Sequence, residues 1–379
     1  MTRRLAVRIL LGAMFLFALA GGGWLLSLPP TPAAKAAPPI AREEAEATIA
    51  ALRPPKRRRP LIAIVGINDA TETTDYLMPY GILRRADVAD VVALSTAPGP
   101  MTLFPALKVQ PQATTAQFDA HHPDGADYVI VPAMSRDDDP AALQWIRQQA
   151  ARGAIIVGVC AGAKVVAAAG LLDGRQATTH WYYLDGMLKR HPGIRYLPDR
   201  RLVVDRGVAT TTGITASMPM MLTLIEAIAG RQRAEAVARD LSLAQWDARH
   251  DSSAFRFTRP FAMTAIGNRM AFWNRERLGL ALTPGIDEVS LALVADAWSR
   301  TYRSRALTFA SGPQTSRSGL RILPDEVATS WPAGQLPAIG NEPPAQALNR
   351  TLGEIATRYG RRSADFVAMQ LEYPRTPAG

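Results

Sequence analysis

The stretch "GAIIVGVCAGAKVVAAAGLLDGRQATTHW" (153–181) decides the fold of this chain. Its apolar run "AIIVGV" (154–159) predicts a buried strand, and "GAKVVAAAGLL" (162–172) predicts the helix that follows. A strand that leads through a tight turn into a helix is the repeating unit of parallel α/β sheets. The rest of the chain therefore has to be searched for the same alternation.

The turn between this strand and this helix has the pattern G-x-C-x-G, formed by Gly158, Cys160 and Gly162. Glycines there permit a strained turn, so the pattern is typical of a nucleophile elbow that exposes its central side chain at a sheet edge. The N-terminus of the next helix would stabilise a thiolate, which predicts an exposed Cys160 with a lowered pKa. The alternative is that Cys160, the single cysteine of the chain, is a buried apolar residue.

Strands and helices alternate on both sides of this unit. The runs predicted as strands are 60–67, 88–97 and 126–134, and those predicted as helices are 72–86 and 139–153. The helix at 139–153 has Pro140 in its first turn and Gly153 at its end, which are the usual boundary residues. This order predicts a doubly wound, mostly parallel sheet that binds ligands at the carboxyl ends of its strands.

Composition bounds the kinds of function. The chain has 379 residues, of which 48% are hydrophobic and 20% charged, and this excludes a wholly disordered protein and favours two domains. The net charge of +10 is concentrated in short runs such as "RPPKRRR" (53–59) and accompanies no nucleic-acid-binding motif, so we expect no nucleic-acid partner. No glycine loop that cradles phosphate and no zinc-like ligand spacing are visible, which predicts neither a cofactor nor a metal.

Residues 1–28 predict an N-terminal membrane anchor or signal segment. About twenty uncharged, mostly apolar residues end at Leu28, enough to span a bilayer. Arg3, Arg4 and Arg8 precede them, which predicts a single-pass anchor with the body outside the cytoplasm, in the periplasm. The sequence "AKA" (34–36) leaves a cleaved signal peptide open, and residues 29–59 predict a linker rich in Pro and Ala and then in basic residues.

A weak internal repeat predicts the remaining organisation. Residues 278–311 follow the strand, helix, strand order of 60–95, and 351–374 parallel 223–246. We expect a first domain at 60–246, a connector at 247–277, and a shortened, degenerate second α/β lobe at 278–379 that lacks the nucleophile. If this lobe packs where a partner subunit otherwise would, the chain is a monomer with internal pseudo-symmetry, and otherwise a homodimer.

The segment "GVCAGAKVVAAAGLLDGRQATTHW" (158–181) resembles the nucleophile region of the DJ/PfpI superfamily, whose fold is that of class I glutamine amidotransferases, with flavodoxin-like topology. It is most similar to the branch of the isonitrile hydratases and the amidase-like domains of AraC-type regulators. The resemblance extends over about 60–246. It implies a cysteine that acts on a small carbonyl or carbon–nitrogen substrate, as in an amidase or hydratase.

The resemblance also implies the site residues. A carboxylate on the first helix, four residues before a proline, hydrogen-bonds the cysteine in the family, and here it is Asp75, before Pro79. Asp75 would be protonated beside a thiolate and serve as general acid, whereas Glu72 is an ordinary first-turn acid. His180 is the candidate base or orienting residue. The candidate substrate-binding residues are Gly158, Ala161, Gly162, Thr179 and Trp181.

Ala161 departs from the family pattern. Peptidase-like members have His after the cysteine, and the isonitrile hydratases have Thr there, so Ala161 counts against a peptidase and weakens a hydratase. The alternatives are a non-catalytic domain that senses a small molecule, or a redox sensor with an accessible cysteine of low pKa. The regulators carry a DNA-binding segment after this domain, and here a second lobe follows instead.

Overall fold

A computed structural model describes residues 3–33, 35–332 and 334–374 of the chain. A mostly parallel sheet organises the N-terminal part. The strands in this part are β1 (Leu61–Gly66), β2 (Asp69–Glu72), β3 (Asp90–Ser95), β4 (Met101–Phe104), β5 (Lys108–Gln110), β6 (Ala113–Thr114), β7 (Tyr128–Val131), β8 (Ile155–Gly158), β9 (Gln176–Ala177), β10 (Arg195–Tyr196), β11 (Leu202–Asp205) and β12 (Val208–Thr211). The helices are α1 (Arg3–Ser27), α2 (Arg42–Ala51), α3 (Thr73–Ala86), α4 (Thr115–His121), α5 (Pro140–Ala151), α6 (Gly162–Ala168), α7 (Leu184–Arg190), α8 (Ser217–Ala229) and α9 (Arg231–Leu241).

The main sheet has the strand order β11-β12-β8-β7-β1-β3-β6. β11 and β12 pair antiparallel, and all the other neighbours pair parallel. Because successive side chains of a strand point to opposite faces, Ile62 and Ile64 enter one core with α3 and α8, while Ala63 and Val65 enter a second core with α5 and α6. The predicted α/β fold with a mostly parallel sheet is confirmed. The order β3-β1-β7-β8-β12 is flavodoxin-like, and β6 adds a short edge strand.

The N-terminal prediction needs correction. Residues 3–27 form α1, and Arg259 donates hydrogen bonds to the carbonyls of Leu25 and Leu26 at the end of this helix. Yet in the part of the chain that the structure describes, no helix combines the length and the apolar character needed to cross a bilayer. The predicted N-terminal transmembrane helix, and the single-pass extracytoplasmic location inferred from it, are therefore wrong. The basis of the cleavage-site alternative, Ala34, and the side chains of Arg3, Arg4 and Arg8 lie outside the described residues.

The predicted linker is attached to the sheet. Part of it forms α2, and Arg57 in its basic run pairs with the fully buried Asp127 at 2.7 Å. Asp127 also accepts the backbone N–H of Leu61 at 2.8 Å, so one carboxylate fixes both the linker and the start of β1. Basic residues of this run thus neutralise acids of the domain.

The C-terminal part continues the same core. Its elements are α10 (Arg259–Met270), β13 (Glu276–Ala281), α11 (Glu288–Ser299), β14 (Ser304–Ala310), β15 (Gln314–Thr315), β16 (Arg321–Leu323), β17 (Glu326–Val327), α12 (Pro344–Tyr359) and α13 (Arg361–Gln370). β13, β14 and β17 form a parallel sheet, whereas β16 pairs antiparallel with β5 of the N-terminal part. β13, α11 and β14 have the strand, helix, strand order, while the second lobe as a separate unit and its descent from a repeat stay predictions.

Two helices join the two parts. A Cβ atom at Gly81 of α3 would lie 2.5 Å from Oε1 of Glu288 and 2.6 Å from Val289, so glycine allows α3 and α11 to approach closely. Across this contact Tyr80 donates a hydrogen bond to the carbonyl of Ser318 at 3.0 Å. Since α3 also carries Asp75, this helix pairing brings the C-terminal part to the predicted site.

Candidate functional site

Cys160 lies in a strained turn between β8 and α6. Its φ is 55°, in the left-handed region that costs a non-glycine residue about 1–3 kcal/mol. Two threonines hold this turn: Oγ1 of Thr211 accepts the N–H of Cys160 at 2.9 Å, and Oγ1 of Thr179 donates to its carbonyl at 3.0 Å. The turn therefore has the geometry of a nucleophile elbow.

The glycines of the elbow are required by packing. A Cβ atom at Gly162 would lie 1.9 Å from the carbonyl oxygen of Val131, and one at Gly158 would lie 3.0 Å from backbone atoms of Ala163. Ala161, the third predicted neighbour of the cysteine, is itself buried. These residues shape the turn through the close approach of α6 to β7.

The thiol of Cys160 differs from the predicted exposed thiolate. Cys160 is only 4% exposed. Burial, together with the charges of Asp75, Glu72 and Glu372, raises the pKa of Cys160 well above its ordinary value. The prediction of a lowered pKa neglected desolvation, and α6 has only seven residues with which to oppose it.

Asp75 lies at the carboxyl edge of the sheet, in the first turn of α3. Its Oδ2 accepts the N–H of Ala133, just after β7, at 3.1 Å, while Oδ1 is buried and has no hydrogen-bond partner among the described residues. Burial, and then the charge of Glu72, raises the pKa of Asp75 well above its ordinary value. These influences favour the neutral form of Asp75. No hydrogen bond joins Asp75 to Cys160 within the described part of the chain.

Glu72 and Arg300 form a buried ion pair beside Asp75, which the sequence did not predict. Glu72 caps α3 by accepting the N–H of Asp75 at 2.6 Å, and a guanidinium nitrogen of Arg300 donates to Glu72 at 2.7 Å. The Nε of Arg300 donates to Asp296 at 2.6 Å. Burial raises the pKa of Asp296 to about 8, although Arg300 acts to lower it. The C-terminal part thus supplies the buried positive charge of the site.

Both ring nitrogens of His180 are bonded to backbone groups. Nδ1 accepts the N–H of Tyr182 at 3.1 Å, so Nε2 carries the proton and donates it to the carbonyl of Gln370 at 2.8 Å. Burial lowers the pKa of His180 and favours the neutral ring. In this arrangement His180 connects the site to the end of α13, and its hydrogen bonds give no support to the predicted role as a base.

Thr179 and Trp181 line a cavity of about 300 Å³ next to the elbow. Its wall is largely aromatic and includes Tyr182 and Phe257, with Glu372 as an acid. The N–H of Trp181 donates to Glu372 at 2.6 Å, and Thr179 connects the cavity to the carbonyl of Cys160. The predicted wall residues therefore line a cavity that is partly open to solvent, although Cys160 does not itself line it.

Arg300 and Glu372 are the functional candidates that sequence reasoning missed. They follow Cys160 by 140 and 212 positions, so no local pattern connects them to the elbow. The weak repeat was the one sequence feature that pointed to Arg300, because it related the region of α11 to that of α3. Chemically, the site combines a buried thiol and a buried carboxyl group, both of raised pKa, with a fixed ion pair.

Comparisons with known proteins identify relatives of this chain. The model of the DJ-1/PfpI family matches residues 62–227. Isonitrile hydratase from Pseudomonas putida is 33% identical over 175 residues, which cover 45% of this chain and 73% of that protein. The HTH-type transcriptional regulator CdhR from Pseudomonas aeruginosa is 36% identical over 112 residues, 30% of this chain and 33% of the regulator.

Among solved structures, Drosophila melanogaster DJ-1beta aligns with 49% of this chain and 100% of its own, at 20% identity and a TM-score of 0.45. The family match covers the elbow, Asp75 and His180. Together with the similarity to isonitrile hydratase, it confirms the predicted resemblance. The chain belongs to the DJ-1/PfpI family.

Proposed function

We propose that Cys160 and Asp75 catalyse the hydration of a small substrate with a carbon–nitrogen multiple bond, such as an isonitrile, by adding the Cys160 thiol to the carbon of that bond. The observation that carries this proposal is the buried Oδ1 of Asp75, without a partner among the described residues, close enough to Cys160 for its charge to raise the pKa of the thiol. A neutral acid in a dry site is a proton donor, and the strained elbow keeps the sulfur in a fixed position.

The two neutral groups supply the protons that such an addition needs. With an isonitrile, the sulfur of Cys160 bonds to the terminal carbon, Asp75 gives its proton to the same carbon, and the thiol proton restores Asp75. The product is a thioimidate on Cys160. Water then adds to the thioimidate carbon, the carbon–sulfur bond breaks, and a formamide leaves while the sulfur regains a proton. No oxidant or cofactor enters this balance.

The similarity to isonitrile hydratase supports this substrate class. Ala161 lacks the hydroxyl that the hydratases carry after the cysteine, so we expect water addition to be the slow step and the covalent thioimidate to accumulate. A second candidate, small-molecule sensing without turnover, is favoured by the 4% exposure of Cys160 and by the similarity to CdhR. A redox sensor is disfavoured because a buried thiol of raised pKa oxidises slowly.

Turnover of methyl isocyanide to N-methylformamide tests the proposal. The full chain should form the product, observed by proton NMR, and carry an adduct of matching mass on Cys160. Asp75→Asn should lower the rate by about 10²–10⁴, the usual contribution of a general acid. Asp139→Asn is the matched control, because Asp139 caps α5 at a site where asparagine also caps a helix, and its rate should equal that of the native chain.

Formamide production that persists in Cys160→Ala would contradict the proposed chemistry. Saturable thermal stabilisation by the same isocyanide, without product or adduct, would instead establish the sensing function.

A further inference from the structure

The carboxylate of Glu372 occupies a binding position made of backbone N–H groups from two different loops. Its Oε1 accepts the N–H of Trp181 at 2.6 Å, and its Oε2 accepts the N–H of Gly213 at 2.8 Å. Glu372 is 3% exposed, so both hydrogen bonds are shielded from water. Two converging N–H donors in a dry position are the elements of a carboxylate-binding site.

The lack of a side chain at Gly213 makes room for Glu372. Its φ of −63° and ψ of −174° are accessible to any residue. A Cβ atom there, however, would lie 2.7 Å from Cβ and Cγ of Glu372 and 2.9 Å from Cδ. Glu372 itself adopts a left-handed φ of 47°. Contact with Glu372 therefore requires glycine at position 213, and the backbone of Glu372 is strained.

The segment 370–372 closes over the site loops through further bonds. His180 donates to the carbonyl of Gln370, the N–H of Thr215 donates to the carbonyl of Leu371 at 3.1 Å, and its hydroxyl donates to the carbonyl of Glu372 at 2.8 Å. These contacts make the segment a strap across the carboxyl edge of the main sheet.

Glu372 lines two neighbouring cavities. It lines both the cavity of about 300 Å³ beside Thr179 and a neighbouring one of about 190 Å³, together with Thr212, His250 and Phe255. Nε2 of His250 lies 3.7 Å from Oε2 of Glu372. Withdrawal of this one side chain would enlarge both cavities and leave the two N–H donors free where they adjoin.

We propose that the N–H groups of Trp181 and Gly213 form a carboxylate subsite of the Cys160 site, which Glu372 fills as an internal plug and from which a small carboxylate ligand displaces it. The subsite does not depend on turnover by Cys160. It assigns to the ligand a carboxylate group in addition to any group that faces the thiol.

Acetate binding and alkylation of Cys160 by iodoacetamide test this proposal in the full chain. In Glu372→Ala we expect alkylation at least about tenfold faster than in the native chain, because loss of the plug enlarges both cavities and increases access to the thiol. Acetate at millimolar concentration should slow it again with saturation, whereas chloride at equal ionic strength should not. In the native chain much more acetate should be needed to occupy the subsite, because the Glu372 carboxylate competes for the same N–H groups at high effective concentration.

Gly213→Ala is the independent variant, since its methyl group expels Glu372 without removing the carboxylate. It should accelerate alkylation as much as Glu372→Ala and show no response to acetate, because the methyl group fills the subsite. Glu354→Ala, which removes a glutamate that pairs with Arg350 on α12, is the control and should behave as the native chain does. Circular dichroism verifies that each variant is folded, and Gly213→Ala carries the test if the alanine variant at Glu372 unfolds.

Native alkylation rates in both Glu372→Ala and Gly213→Ala would overturn the proposal. An equal effect of acetate and chloride on Glu372→Ala would overturn it as well.

Discussion

Replacing Arg300 with methionine should lower the free energy of unfolding by about 3–5 kcal/mol, the usual cost of removing one partner of a buried ion pair. Arg300 donates to both Glu72 and Asp296, and its side chain is 14% exposed. Methionine fills a similar volume but leaves Glu72 without its counter-charge. Urea denaturation followed by circular dichroism measures the loss.

Two comparisons make this first prediction specific. Arg305→Met, at an exposed position of β14, should change stability by less than about 0.5 kcal/mol. Adding Glu72→Gln to Arg300→Met should recover part of the loss, because it removes the unpaired charge. A loss in Arg300→Met no larger than that in Arg305→Met would show that the ion pair does not hold the C-terminal part against α3.

Gly162→Ala should cost about 3 kcal/mol or more, at the upper end for overpacking, because the new methyl group meets backbone. Its Cβ atom would lie 1.9 Å from the carbonyl oxygen of Val131 and 2.9 Å from that of Pro132. Neither atom is the flexible end of a side chain, so α6 has to move away from β7. Thermal denaturation and the yield of folded protein report this effect.

Gly186→Ala is the matched control for the elbow variant. No atom lies within 4 Å of a Cβ atom at Gly186, which is an exposed position of α7, so the substitution should leave stability unchanged or raise it slightly. If Gly162→Ala were as stable as Gly186→Ala, the close contact of the elbow with β7 would not exist in solution.

The local sequence pattern was sufficient to predict the sheet and the elbow. The predicted strand at 154–159 is β8, Pro140 begins α5, and Cys160 has the left-handed backbone expected of an elbow. These features depend on a few consecutive residues, whose apolar run, proline and glycines act locally. The N-terminal helix shows the limit of the same reasoning, since an apolar run predicted a membrane span that the described residues do not contain.

Long-range contacts decided what the sequence did not predict. The pKa of Cys160 depends on desolvation and on carboxyl groups as distant in sequence as Glu372, and these outweigh the short helix α6. The part played by Glu72 depends on Arg300, which reaches it only because α11 packs on α3. Sequence spacing carries no information on such pairs unless the repeat that relates the two lobes is recognised.

The central claim is that Cys160 and Asp75 are buried acids whose pKa values are raised, in the case of Cys160 partly by the charge of Asp75. The pH dependence of alkylation of Cys160 tests this claim most directly. Cys160 is the single cysteine, so all bound iodoacetamide reports it. The rate should rise with pH, and its midpoint should lie well above the ordinary cysteine pKa of about 8.5. In Asp75→Asn the midpoint should fall, because ionising Asp75 no longer opposes the thiolate. A midpoint at or below the ordinary value, unchanged in Asp75→Asn, would contradict the account.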